Sequence, residues 1–199
     1  VNVMPNIKTK MHILKNAINF CNRIGIKRPK ISVLSATEEV LDSMQSSLDA
    51  KEITKLAKTE NLNADVFGPL AFDNSVSKKS AAIKGIKNAV AGQADVLLVP
   101  SIEAGNGLVK MMIYFMGACA AGVVVGGKVP VVITSRSDDP TARLASIAAA
   151  VVVVELSSVY QVPSFPNHIF PLSIYLANIK TSIVLKVGRP LAESPLAPK

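Results

Sequence analysis

Short apolar runs alternate with helix-length amphipathic segments along most of this chain, and that alternation limits its fold more than any other feature. Ile7, Met11, Leu14, Ile18 and Cys21 recur at spacings of four and three, which is one face of a helix. Pro5-Asn6 precedes that run, and Gly25 stands where a C-terminal cap belongs. Ile31–Ser35 then reads as a strand. The unit repeats: a helix around Ala50–Thr59 before a strand at Asp65–Phe67, and a helix around Ser75–Ile86 before the strand Asp95–Val99. A helix around Leu108–Ala118 leads into two apolar strands, Gly122–Val125 and Val129–Thr134, and a last helix runs from about Pro140 to Val154. Strands apolar throughout, joined by helices, predict an α/β fold with a mostly parallel sheet covered on both faces, three layers in all.

The texture changes at Glu155. Six prolines interrupt residues 156–199, and only Ile179–Val187 reads as a strand, so residues 1–154 are taken as one domain and 155–199 as an irregular tail. Val1-Asn2-Val3 itself reads like the end of a strand. With 49% hydrophobic residues in 199, the chain can bury a sizeable core. The longest apolar stretches, Ala118–Gly127 and Ala145–Val154, are too short to span a membrane. Two distant cysteines, Cys21 and Cys119, match no metal spacing and fit a reducing, cytoplasmic setting. The net charge of +8 is concentrated at the start, where residues 1–37 hold seven basic groups and no acid. Scarce aromatics and no Trp argue against a nucleic-acid stacking platform; a basic surface suits an anionic small molecule equally well.

In parallel sheets ligands gather beyond the carboxyl ends of strands, which selects three segments. Gly68–Asp73 is a turn in which Asp73 or Asn74 either starts a helix or meets a ligand. Pro100–Gly107 places Gly105, Asn106 and Gly107 before a helix, where exposed amides and the helix dipole favour an anion; Asn106 either caps that helix or binds. Thr134-Ser135-Arg136-Ser137-Asp138-Asp139 delivers hydroxyls, a guanidinium and two carboxylates to one strand end. Arg136 can grip a phosphate bidentately, Ser135 can donate to developing negative charge, and a carboxylate can orient Arg136 or accept a proton. Equally, Ser137 or Asp138 caps the final helix and Arg136 makes a surface ion pair. His12 and His168 support no catalytic triad.

Taken together, Gly-Pro-Leu-Ala-Phe-Asp-Asn (68–74), Val-Ala-Gly-Gln-Ala-Asp-Val-Leu-Leu-Val-Pro (90–100), Glu-Ala-Gly-Asn (103–106) and Lys-Val-Pro-Val-Val-Ile-Thr-Ser-Arg-Ser-Asp (128–138) follow one family's order and spacing. From Val1 to Val154 the chain resembles the phosphate acetyl/butyryltransferases, most of all the branch in which this domain follows an enoyl-CoA hydratase-like domain. The resemblance implies exchange of an acyl group between coenzyme A and phosphate, with acyl-CoA and phosphate as substrates and no metal or bound cofactor. It implies an isocitrate dehydrogenase-like fold of two lobes. The last strand and helix, Val129–Val154, then belong to a second lobe that is largely missing here. The remainder of that lobe comes from a homo-oligomer partner or a separately encoded N-terminal half, and no nucleic acid or membrane is involved.

By the same resemblance Ser135 and Arg136 are catalytic, and Asp138 is with them as a candidate base. Thr134, Gly105, Asn106 and Asp73 line the substrate. Two positions depart from the family pattern. Ala142 stands where acetyl-specific members carry an Asp, and Ser101 stands where an acid or Asn is common. Regulatory acyl-CoA-sensing domains share the fold but usually alter the Ser-Arg pair, which is intact here.

Overall fold

The computed structural model describes residues 3–154 and, beyond them, the backbone of two strands, 172–178 and 181–187. Helix α1 (Ile7–Arg23) begins where Asn6 caps it, its side chain accepting from Thr9 N, and it ends at Gly25 with φ +91°. Its apolar face buries Ile13, Leu14, Phe20 and Cys21 completely or nearly so. Strand β1 (Lys30–Leu34) follows, then α2 (Gln45–Thr59), β2 (Asp65–Leu70), the short helices α3 (Phe72–Val76) and α4 (Lys78–Ile83), and β3 (Val96–Leu98). Helix α5 (Ile102–Met116), β4 (Ala120–Val124), β5 (Val131–Val132) and α6 (Pro140–Val153) complete the continuous part; β6 (Leu172–Asn178) and β7 (Thr181–Val187) close the order.

The sheet order is β2-β1-β3-β7-β6-β4-β5. Alternate residues of each strand feed opposite cores, as the two-residue period of a strand requires. On one face Ile31, Val33, Val96, Leu98, Ala121 and Val123 pack with residues of α1, α2 and α6. On the other, Leu34, Leu70, Leu97 and Val99 pack with Ala81 of α4 and Val109 of α5. Helices therefore cover both faces of the sheet, and the α/β expectation stands.

The sheet is mixed rather than mostly parallel. β1 pairs in parallel with β2 and β3, and β4 with β6, but β3–β7, β6–β7 and β4–β5 are antiparallel. Connection length accounts for the last two of these pairs. A parallel crossover needs about a dozen residues, whereas two residues separate β6 from β7 and six separate β4 from β5. The segment expected as an irregular tail thus contributes β6 and β7, of which β7 covers most of the Ile179–Val187 run. The rest of 155–199 lies outside the described residues.

Val129–Val154 also differ from expectation, because they pack on this sheet. β5 pairs with β4, the Ser146 hydroxyl accepts from Gly122 N at 2.9 Å, and Ala149 and Ala150 enter the first core. Small side chains let α6 approach β4 that closely. The opposite side of α6 leaves Leu144, Ile147 and Val151 exposed.

Candidate active site

The strand-end segments open onto different cavities: Thr134–Asp139 lends Ser137, Asp138 and Asp139 to one cleft, and Pro100 and Ser101 border another. Helix α5 begins at Ile102, six residues earlier than its apolar period indicates, because Ser101 caps it: its hydroxyl accepts from Ala104 N, and Glu103 sits in the first turn where the helix dipole favours an acid. Gly105, Asn106 and Gly107 are therefore inside α5 rather than in a loop before it. Asn106 is exposed and caps nothing, and Gly105 is buried. The corrected N-terminus sets Asn106 one helical turn before Lys110, on the same side of the helix.

Lys110 lines a small cleft of about 90 Å³ together with Tyr114, Cys119, Ser137, Asp138 and Asp139. The turn after β5 thus lies against α5. Within it, Asp138 N donates to Ser135 O at 3.1 Å and Ser135 N donates to Asp138 Oδ2 at 2.6 Å, closing residues 135–138 from both ends. The Ser135 and Ser137 hydroxyls are 3.0 Å apart. Arg136 occupies the corner of this turn, exposed, with no ion-pair or hydrogen-bond partner among the described residues. Neither Ser137 nor Asp138 caps α6. Asp139 does, accepting from Ala142 N at 2.7 Å, with Pro140 behind it in the first helical position. Thr134 is exposed beside the turn. Burial, then the charge of Asp139, raises the pKa of the half-buried Cys119 thiol.

Asp73 is not among the residues lining that cleft. It lies in the first turn of α3, about half exposed, with Lys84 Nζ at 3.8 Å. Lys84 also reaches Glu38 Oε2 at 3.3 Å, and the buried Asn74 donates to the same oxygen at 3.2 Å. Sequence reasoning singled out neither Glu38 nor Lys84; the position of Glu38 just beyond the carboxyl end of β1 was the available signal. Two motif glycines prove to be packing devices. A Cβ on Gly68 would stand 2.5 Å from Val33 O, and one on Gly92, at φ +72°, 2.5 Å from the Lys78 backbone. A second, larger cavity of about 750 Å³ opens where the first turns of α1, α2 and α5 meet, lined by Lys10, Gln45, Asp49 and Ser101 among others.

The family model for phosphate acetyl/butaryl transferase matches residues 1–151, three-quarters of the chain. The chain belongs to the phosphate acetyl/butyryltransferase family. Within that family it is 42% identical over 151 residues to a phosphate acetyltransferase of Rhizobium meliloti, covering 75% of this chain and 48% of that protein. It is 40% identical over 156 residues to a probable phosphate butyryltransferase of Bacillus subtilis (strain 168), covering 78% and 52%. Among solved structures, a branched-chain phosphotransacylase from Enterococcus faecalis V583 matches with a TM-score of 0.71 and 38% identity, over 78% of this chain and 56% of that one. The chain spans about half the length of the curated relatives it matches. Helix α5 and the turn after β5, which line the cleft, both fall inside the family match. Among the described residues, no helix is long and apolar enough to cross a membrane, and no group of three His, Cys, Asp or Glu could hold a metal.

Proposed function

We propose that this chain carries the phosphate-handling part of a phosphate acyltransferase, acyl-CoA + phosphate ⇌ acyl phosphate + CoA, with an acetyl or short-chain acyl group. The observation that carries the reading is Arg136. It is an exposed guanidinium without a partner among the described residues, held at the corner of a doubly closed turn beside the cleft that Lys110 shares with Asp138 and Asp139. An unpaired arginine offers its full fork to a phosphoryl group, and bidentate pairing fixes the orientation of that group as well as binding it. In the direction of acyl phosphate consumption, the CoA thiolate attacks the acyl carbonyl. A sulfur–carbon bond forms, the carbon–oxygen bond to phosphorus breaks, and inorganic phosphate leaves into the grip of Arg136. Ser135 donates to the charge that develops on the way. Asn106, Gly105, Thr134 and Asp73 are assigned to the substrate by the family's motifs, with Asn106 on the same helix as the cleft.

The relatives' other half bears on how the site is completed. The apolar outer face of α6, continued by the exposed Val131 and Ile133, is the surface we assign to the second lobe of an isocitrate dehydrogenase-like pair. That lobe corresponds to the share of the relatives' length that these residues do not span. A half-built cleft open to water weakens each electrostatic contact, so the chain alone is expected to turn over slowly or not at all. The test is thiol release from acetyl-, butyryl- and isobutyryl-CoA in the presence of phosphate. It is run on the chain alone and mixed with the N-terminal half of a relative. Phosphate-dependent release that Arg136→Ala removes supports the reading; none in any combination refutes it in favour of a non-catalytic acyl-CoA-sensing domain.

A further inference from the structure

We infer that Asp138 is a positioning residue, holding Ser135 and Arg136 in their presented geometry, and that it takes no proton from substrate. The inference rests on the proposed acyltransfer reading for what the turn does, and on hydrogen bonds alone for how it is built. Asp138 Oδ2 accepts from Ser135 N at 2.6 Å while Asp138 N donates to Ser135 O at 3.1 Å. This is a Ser-x-x-Asp box in which the fourth residue's carboxylate reaches back to the first residue's amide, the arrangement familiar at helix starts. It fixes the two residues between them. Arg136 and Ser137 occupy the corner positions and project outward, and the Ser137 hydroxyl is tied back to Ser135 Oγ at 3.0 Å.

The neighbouring carboxylate is committed as well. Asp139 Oδ1 accepts from Ala142 N at 2.7 Å and anchors α6 to the end of the turn. The two acids of the Ser-Arg-Ser-Asp-Asp segment therefore hold backbone amides on opposite sides of one corner. One sets the guanidinium, and the other sets the helix that follows. At position 142, where the family's acetyl-specific members were expected to carry an acid, this chain has a buried alanine. No carboxylate of this segment is left with the single duty of a general base.

The two roles separate at one substitution. Asn keeps an oxygen that can accept from Ser135 N but cannot take up a proton at neutral pH; Ala can do neither. In the full chain, with whichever partner half supports turnover, Asp138→Asn is expected to lose less than Asp138→Ala, both in kcat and in KM for phosphate. Asp138→Ala is expected to raise that KM by about tenfold or more, because misplacing a phosphate-gripping group by an ångström can cost up to about a hundredfold. The pH profile of Asp138→Asn should keep the shape of wild type. An independent readout needs no activity: in nitrogen-edited NMR the Ser135 amide should stay at its hydrogen-bonded shift in Asp138→Asn and move upfield in Asp138→Ala. Titration with inorganic phosphate should move the Arg136 side-chain signal in wild type and in Asp138→Asn. Thermal melts check that both variants remain folded. Equal loss of turnover in both variants, with the Ser135 amide unmoved, would overturn the inference. Intact amide behaviour with no turnover in any sample would overturn the acyltransfer reading and leave the turn assignment standing.

Discussion

Lys10 of α1 and Asp49 of α2 meet at 2.6 Å with their side chains only 6% and 9% exposed, a charged clasp between two helices on the same face of the sheet. Gln45 supplies Asp49 with a second donor, Nε2 to Oδ1 at 2.7 Å. Burying both charges is worthwhile only while each has the other. Lys10→Met should therefore cost about 3–5 kcal/mol in urea unfolding, because it strands a carboxylate. The double variant Lys10→Met with Asp49→Leu should recover most of that loss. A single variant as stable as wild type would show that the clasp is open in solution.

Gly68 and Gly107 both lie in or beside family motifs, but their substitutions should have opposite signs. Gly68→Ala drives a methyl into Val33 O of the neighbouring strand at 2.5 Å, so it should destabilise by about 1–3 kcal/mol or more. Gly107, inside α5 with open space around it, should accept Ala with a gain of up to about 1 kcal/mol. Thermal denaturation of the two variants decides both signs.

The Cys21 thiol is pushed up to about 12 from 9.0, by burial first and the charge of Asp95 second. In the unfolded chain it ionises near its ordinary value, while in the fold it stays protonated. Its contribution is therefore undiminished below pH 9 and is lost as pH rises from about 9 towards 12, by about 1.4 kcal/mol per pH unit at most. The stability of Cys21→Ala should fall less steeply than that of wild type across that window, as urea unfolding at stepped pH would show. Identical slopes would mean the thiol is not sealed.

Cys119 is half-buried and Cys21 fully buried, so the two thiols should react at separable rates. A disulfide-exchange reagent at pH 8 should label Cys119 slowly in the folded chain, held back by its raised pKa, and leave Cys21 unlabelled until denaturant is added. Two equally fast thiols in the native protein would contradict the placement of α1.

Arg136→Ala should abolish phosphate-dependent thiol release while leaving the melting temperature within about 2 °C of wild type, since the exposed side chain has no partner to lose among the described residues. Arg136→Lys keeps the charge but not the planar fork, and should retain only a small fraction of the activity. If Arg136→Lys matches wild type, the bidentate grip is not used.

Much of this protein is written in local pattern. The four-and-three spacing of Ile7 to Cys21 specifies α1, with Asn6 and Gly25 marking its ends, because capping and amphipathicity act within a few residues. The apolar runs at Ile31 and Val96 specify strands covered on both faces, and the family motifs single out Ser135 and Arg136. Where α5 begins was less legible. The glycines at 105 and 107 read as a loop, yet the Ser101 cap and the packing of Gly105 and Val109 carry the helix across them.

Tertiary structure decided the rest. Strand order and direction depend on which edges meet, and no local spacing reports that β7 lies beside β3 or that β5 returns antiparallel to β4. Nor does spacing show that the Asp138 carboxylate is spent on the Ser135 amide, or that Lys10, on an otherwise apolar helix face, has Asp49 waiting 39 residues away. Helix and strand character comes from interactions a few residues apart. Sheet pairing and the duties of buried or turn-bound charges depend on neighbours supplied only by the packed chain.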